Sequence, residues 1–127
     1  MQKETNIINF KIDEFIDGTG GWTYDGKHYD DQTLRLAAEG LEIFDIPLAG
    51  IDLATKPWTL NNFRWIIYHM KRINDANLDY PIILDPDGTI IDGWHRIGKA
   101  MINGEQTIKA RRLRVMPSPD SITTITN

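Results

Sequence analysis

The chain has 127 residues, of which 41% are hydrophobic and 25% are charged, and this balance predicts one globular domain. Its formal net charge of −4 excludes the overall basic character of a duplex-DNA-binding protein. The absence of cysteine excludes disulfides, thiolate metal sites and a cysteine nucleophile. No apolar run approaches the roughly 18 residues of a membrane helix, and no signal-peptide pattern opens the chain, so we expect a cytoplasmic protein without a membrane partner.

The N-terminal part of the sequence predicts strands followed by a short helix. Apolar alternation over residues 7–12 is typical of a strand. Residues 22–29 are predicted to form a hairpin, and residues 31–39 a short helix.

The middle of the sequence predicts an edge strand and one long helix. The strand covers residues 44–48, where Pro47 indicates a sheet edge or a strand end. The helix can be capped by Thr59 or Asn61, and its apolar residues recur at helical spacing. These are Phe63, Ile66, Ile67, Met70 and Ile73.

The second half predicts a hairpin that leads directly into a helix. Apolar runs at residues 82–84 and 89–91 flank a tight turn, in which Asp85 and Asp87 are interpreted as turn residues. A helix is predicted at residues 94–103, and a last strand follows at residues 107–115.

The junction between the hairpin and this helix carries the most informative motif of the chain, Asp92-Gly93-Trp94-His95-Arg96. Free backbone N–H groups and the positive end of the helix dipole meet at such a junction, which favours phosphate binding. Gly93 lets the backbone approach an anion closely, Arg96 can bind two oxygens, and His95 can donate or relay a proton.

The motif and the order of elements together resemble the ParB/sulfiredoxin-like superfamily. The resemblance covers residues 44–115, and it implies an α+β fold in which about three helices pack on a small mixed sheet. The sequence itself predicts one domain at residues 1–117, in which residues 1–43 are an N-terminal extension outside the resemblance. Prolines at 117 and 119 and a Ser/Thr-rich composition predict a flexible tail at residues 118–127, with docking of Ile122 and Ile125 as the alternative. In this superfamily the strand-to-helix junction binds nucleotide phosphates, and the present motif is most similar to that of the free serine kinases.

The resemblance assigns roles residue by residue. Gly93, His95 and Arg96 match the phosphate-binding positions, and Asp92 matches an acidic residue that can transfer a proton or hold magnesium through water. Trp94 replaces the cysteine of sulfiredoxin, so reduction of sulfinic acids is excluded. Trp94 is either a packing residue or a platform for the nucleotide base.

Lys56 and Thr59 have two interpretations. Sulfiredoxin directs a lysine and a serine at the nucleotide from a comparable place, which implies that both residues here bind nucleotide. Alternatively, Thr59 is a simple helix cap and Lys56 a solvated loop charge.

The leading hypothesis is therefore a nucleotide-binding domain with Asp92 and His95 as candidate catalytic residues. The expected cofactor is ATP, ADP or CTP with Mg²⁺, and hydrolysis or phosphotransfer is open. No dedicated metal site is expected, because the three histidines lack metal-like spacing. The alternatives are a ParB-like DNA-binding or nuclease accessory protein of a phage or mobile element, and a non-catalytic interaction module.

The nucleic-acid alternative depends on one basic cluster near the C-terminus. Its residues follow a strand-like alternation that can bring charges to one sheet face, and solvated strand charges are the competing interpretation. The cluster comprises Lys109, Arg111, Arg112 and Arg114.

Overall fold

The computed structural model describes residues 20–123, and within them it has seven strands and three α-helices. The predicted strand at residues 7–12 lies outside this range. The elements in chain order are β1 (Gly21–Tyr24), β2 (Lys27–Asp30), α1 (Asp31–Ala38), β3 (Phe44–Pro47), α2 (Phe63–Asp75), β4 (Ile82–Leu84), β5 (Ile90–Asp92), α3 (Trp94–Ile102), β6 (Thr107–Arg112) and β7 (Ser121–Ile122). The predicted α+β class, with a small mixed sheet and three helices, is confirmed.

A four-stranded mixed sheet forms the centre of the fold, in the order β3-β6-β4-β5. Strand β6 runs antiparallel to β3 and parallel to β4, and β4 forms an antiparallel hairpin with β5. One Asp85 carboxylate oxygen accepts the backbone N–H groups of Asp87 and Thr89 at 2.9 and 2.8 Å. The predicted turn role of Asp85 is thereby confirmed.

Two apolar clusters pack the central sheet against α3 and against α1 with the N-terminal hairpin. One contains side chains of α3 and the sheet, including Ile82, Ile97 and Ala110. The other joins α1 and the N-terminal hairpin to Ile83 and Ile91. The described part of the predicted N-terminal extension therefore shares a core with the central sheet.

Residues 120–123 pack on the N-terminal hairpin and lie within the segment for which the sequence predicts a flexible tail. Strands β1, β2 and β7 form a second, antiparallel sheet. The carboxylate of Asp120 accepts the Asp30 N–H at 2.8 Å and the Thr33 hydroxyl at 2.9 Å. These two bonds hold Asp120 beside the first turn of α1.

Helix α2 differs from its prediction in its cap and in its orientation. Asn62, rather than Thr59 or Asn61, is the N-cap, and its side chain accepts the Trp65 N–H at 3.2 Å. The predicted apolar stripe is largely exposed, with Phe63 73% and Met70 59% accessible. The reason is that α2 turns a more polar face, which includes His69, toward the rest of the molecule.

Candidate functional site

A cleft of about 1840 Å³ lies between α1 and α2, and the N-terminus of α3 opens into it. Side chains from α1, α2 and the central sheet line its walls. All five residues of the sequence motif are among the lining residues: Asp92, Gly93, Trp94, His95 and Arg96.

Gly93 brings the start of α3 against the neighbouring strand β4. It is the N-cap of α3 with φ 119°, a conformation that L side chains rarely adopt. A Cβ atom at this position would lie 2.4 Å from the Cγ2 atom of Ile82. Glycine is therefore required both by the backbone conformation and by the close contact.

The first amides of α3 lie at the end of the helix that lines the cleft. The N–H groups at residues 94–96 have no acceptor within the helix by its geometry, and among residues 20–123 no side chain caps α3. Because the dipole of the helix is positive at this end, the arrangement favours an anion.

A pair of histidines lies beside these amides. The Nδ1 atom of His69 and the Nε2 atom of His95 are 2.8 Å apart, so one ring donates a hydrogen bond to the other. Trp58 stacks on both rings, with centroid distances of 4.2 Å to His69 and 4.4 Å to His95. The contact of two helices and a loop thus fixes the orientation of His95.

Both histidines are uncharged at neutral pH. Burial, followed by the charge of Arg72, the neighbouring His69 ring and the charge of Arg96, lowers the pKa of His95 to about 3. Burial and Arg72 also lower the pKa of His69. His95 is therefore a neutral donor or acceptor of hydrogen bonds, rather than a cation that binds phosphate by charge.

Arg96 has a structural role in the described chain. Its terminal nitrogens donate to the Asp92 carboxylate at 2.8 Å and to the Pro81 carbonyl at 2.9 Å. A weaker bond reaches the Tyr80 carbonyl at 3.3 Å. Arg96 consequently ties α3 to β5 and to the segment before β4, and its contact with a phosphate stays a prediction.

Two of the six acidic residues that line the described cleft, Asp31 and Asp92, interact with each other. Asp92 pairs with Arg96, and its carboxylate lies 4.0 Å from the Nε atom of Arg35. Burial, followed by the negative charge of Asp92, raises the pKa of Asp31, and nearby arginines oppose this increase. The sequence predicted Asp92 as a candidate catalytic residue but gave Asp31 no role in the site.

The remaining predicted site residues divide between the cleft and its surroundings. Thr59 lines the cleft, whereas Lys56 is exposed and lies outside its lining. Trp94 lines the cleft and also packs against the apolar cluster under α3, which favours the packing interpretation.

Trp58 and His69 are two further site residues that the sequence alone did not reveal, as Asp31 is. His69 lies four residues before Ile73, whose side chain contacts Gly98 of α3. That spacing places His69 on the helix face that meets α3. The four-residue spacing is visible in the sequence, but its meaning became clear only once the packing of α2 against α3 was known.

Within residues 20–123, no group of three or more metal-binding side chains is present, and no helix has the length and apolar character needed to cross a bilayer. No family model, curated protein or solved structure matches this chain.

Proposed function

We propose that the protein binds a nucleotide in this cleft and holds its phosphates at the N-terminus of α3. One observation carries the proposal: the uncapped start of α3 opens into a large cleft beside Arg72 and the His69–His95 pair. The proposal also keeps the cytoplasmic location expected from the sequence.

The electrostatics of the site support an anionic ligand. Arg72 and Arg96 act on His95 through their positive charges and disfavour its protonation. The same positive potential attracts a phosphate group, which the free amides at residues 94–96 can bind through hydrogen bonds. Gly93 permits the tight turn from β5 into α3, because a Cβ atom at this position would collide with Ile82.

His95 is suited to hydrogen bonding rather than to charge neutralisation. Its ring is neutral and is held by Trp58 and His69, so it can orient a phosphate oxygen, a water or a hydroxyl, whereas a pKa of about 3 makes it a weak base at neutral pH. Turnover on this frame would be hydrolysis or phosphotransfer, and both depend mainly on positioning and charge stabilisation.

Magnesium would be held chiefly by the phosphates and by water. Asp92 is the carboxylate that the motif offers, and it is already paired with Arg96 at 2.8 Å. Magnesium usually keeps several waters and binds to proteins through one or two carboxylates, so a water-mediated contact with Asp92 fits this site.

The nucleic-acid alternative has weaker support. Arg111 lines the cleft, and Arg112 donates from its Nε atom to the Pro86 carbonyl at 2.9 Å. Lys109 and Arg114 are exposed. The basic cluster is therefore divided between the cleft, a turn and the surface, and it does not form one continuous charged face.

Thermal shift against ATP, ADP, CTP, GTP and pyrophosphate, each with and without Mg²⁺, tests the proposal. A ligand at about 100 times its Kd adds about 2.7 kcal/mol to the free energy of unfolding, so the melting temperature rises. The His95→Glu variant should lose this increase, because a carboxylate repels phosphate while it suits the start of a helix. His95→Gln should retain at least part of it.

Gln106→Glu is the matched control, since it makes the same change in net charge at an exposed position outside the cleft lining. It should keep the full response. The assignment would be wrong if no nucleotide or pyrophosphate stabilised the wild-type protein, or if His95→Glu responded as strongly as the wild type.

A further inference from the structure

We propose that the cleft contains a second anion-binding subsite, at Arg111, which takes the carboxylate of a small organic acid. The subsite extends the proposed nucleotide site, since it supplies the place for a second ligand beside the phosphates. Arg111 belongs to β6, is half-buried, and lines the same cleft as the start of α3.

Arg111 differs from the other cleft arginines in its lack of partners. Arg96 is paired with Asp92, Arg35 lies near Asp92, and Arg72 donates to the Tyr68 hydroxyl at 3.0 Å. Among residues 20–123, the guanidinium of Arg111 has neither a hydrogen bond nor an ion pair, and its Nε atom is buried without an acceptor. Burying the Nε–H donor without an acceptor is unfavourable, and a ligand that accepts from this group would remove the cost.

Strand register separates this subsite from the phosphate position. Arg111 lies opposite Ile83 in β4, and Ile83 lies opposite Asp92 in β5. Two strand spacings of roughly 4.8 Å put the backbone of Arg111 about 10 Å from that of Asp92. Arg111 thus starts two strands away from the strand that leads into α3, and we assign its guanidinium to a different group from the phosphate held at that helix.

The size of the cleft supports two ligands. Its volume of about 1840 Å³ exceeds the range of roughly 300–1,000 Å³ that is usual for a single ligand pocket. A nucleotide held at α3 therefore leaves room for a second small molecule.

A carboxylate suits Arg111 better than a second phosphate does. A planar guanidinium binds either group through paired hydrogen bonds. Arg111 offers one positive charge, which a singly charged carboxylate matches, whereas the phosphate position lies beside both Arg72 and Arg96 and the first amides of α3.

Melting temperatures of the full chain test the subsite with acetate, lactate, glycerate and glutamate, and with acetamide and lactamide as uncharged counterparts. We expect at least one carboxylate to raise the melting temperature, and neither amide to do so. Arg111→Gln should abolish this increase and leave the shift with pyrophosphate unchanged. Arg114→Gln, an exposed arginine on the same segment, is the matched control and should respond as the wild type does.

The melting temperature of the Arg111→Gln variant without any ligand is a second test of the proposal. If Arg111 is retained for binding, Arg111→Gln should melt at the same temperature as the wild type or higher, because an unpaired buried charge is removed. A clear decrease would mean that Arg111 has a structural partner, and it would overturn the proposal. Absence of any carboxylate effect would also overturn it.

The two proposals fail in different ways. A carboxylate shift that depends on Arg111, without a nucleotide or pyrophosphate shift, would retain the subsite and reject the phosphate site. The reverse result would retain the phosphate site alone.

Discussion

At the scale of single residues, the neutral His95 ring makes the stability of the protein depend on pH. A histidine in the unfolded chain has a pKa of about 6.5, whereas His95 in the folded protein has a pKa of about 3. Between these values the unfolded chain binds a proton that the folded protein excludes. The free energy of unfolding therefore decreases as the pH falls below about 6.5 and is fully retained above it.

We predict that His95→Gln reduces this pH dependence. Because solvent partly screens the exposed part of the ring, the difference in the free energy of unfolding between wild type and variant should change by about 1 kcal/mol from pH 7 to pH 5. Urea unfolding of both proteins at the two pH values measures it. A gap between wild type and variant that stays constant with pH would contradict the assigned neutral state.

The residues around His95 explain why the sequence predicted only half of this pair. The motif showed His95 at a helix start, and the structure places it there. Its partners, His69 and Trp58, lie 26 and 37 positions earlier in the chain, by their sequence numbers. No local pattern links positions so distant; only the packing of α2 against α3 brings them together.

At the scale of elements, the junction of β5 and α3 is the part of the fold on which the site depends. We predict that Gly93→Ala lowers the free energy of unfolding by about 2–4 kcal/mol, since strain at positive φ adds to an overpacked contact with Ile82. Urea denaturation provides the measurement.

Gly104→Ala is the control for this substitution. Gly104 also has positive φ, at 73°, but no atom lies within 4 Å of an added Cβ. The Gly104→Ala substitution should lower the free energy of unfolding only through backbone strain, by about 1–2 kcal/mol. Equal losses at the two positions would show that contact with Ile82 does not set the position of α3.

The elements also show where prediction from sequence succeeds and where it fails. The hairpin turn at Asp85 and the helix start at Gly93 were predicted correctly, because local hydrogen bonds and glycine conformation determine both. The orientation of α2 was predicted wrongly: its apolar side chains at Phe63 and Met70 were expected to be buried, but they are exposed. A helix that supplies polar residues to a cleft does not follow the simple rule that its apolar face is buried.

At the scale of the whole molecule, the predicted α+β class was correct, but the boundaries of the domain were not visible in the sequence. The N-terminal hairpin, α1 and Ile83 share one apolar cluster, and Asp120 joins the chain end to α1. These contacts connect residues about 90 positions apart, as the separation of Asp30 and Asp120 shows. The composition indicates that apolar surface must be buried, but it does not predict which segments of the chain pack together to bury it.

The central claim is that the amides at the start of α3 bind phosphate. Titration of the ¹⁵N-labelled protein with pyrophosphate and Mg²⁺, followed by amide NMR, tests it most directly. We predict the largest shift changes at the backbone amides of Trp94, His95 and Arg96, with little change at Gln106. Changes absent from α3, or confined to Lys109 and Arg114, would contradict the account and favour a surface that binds polyanions.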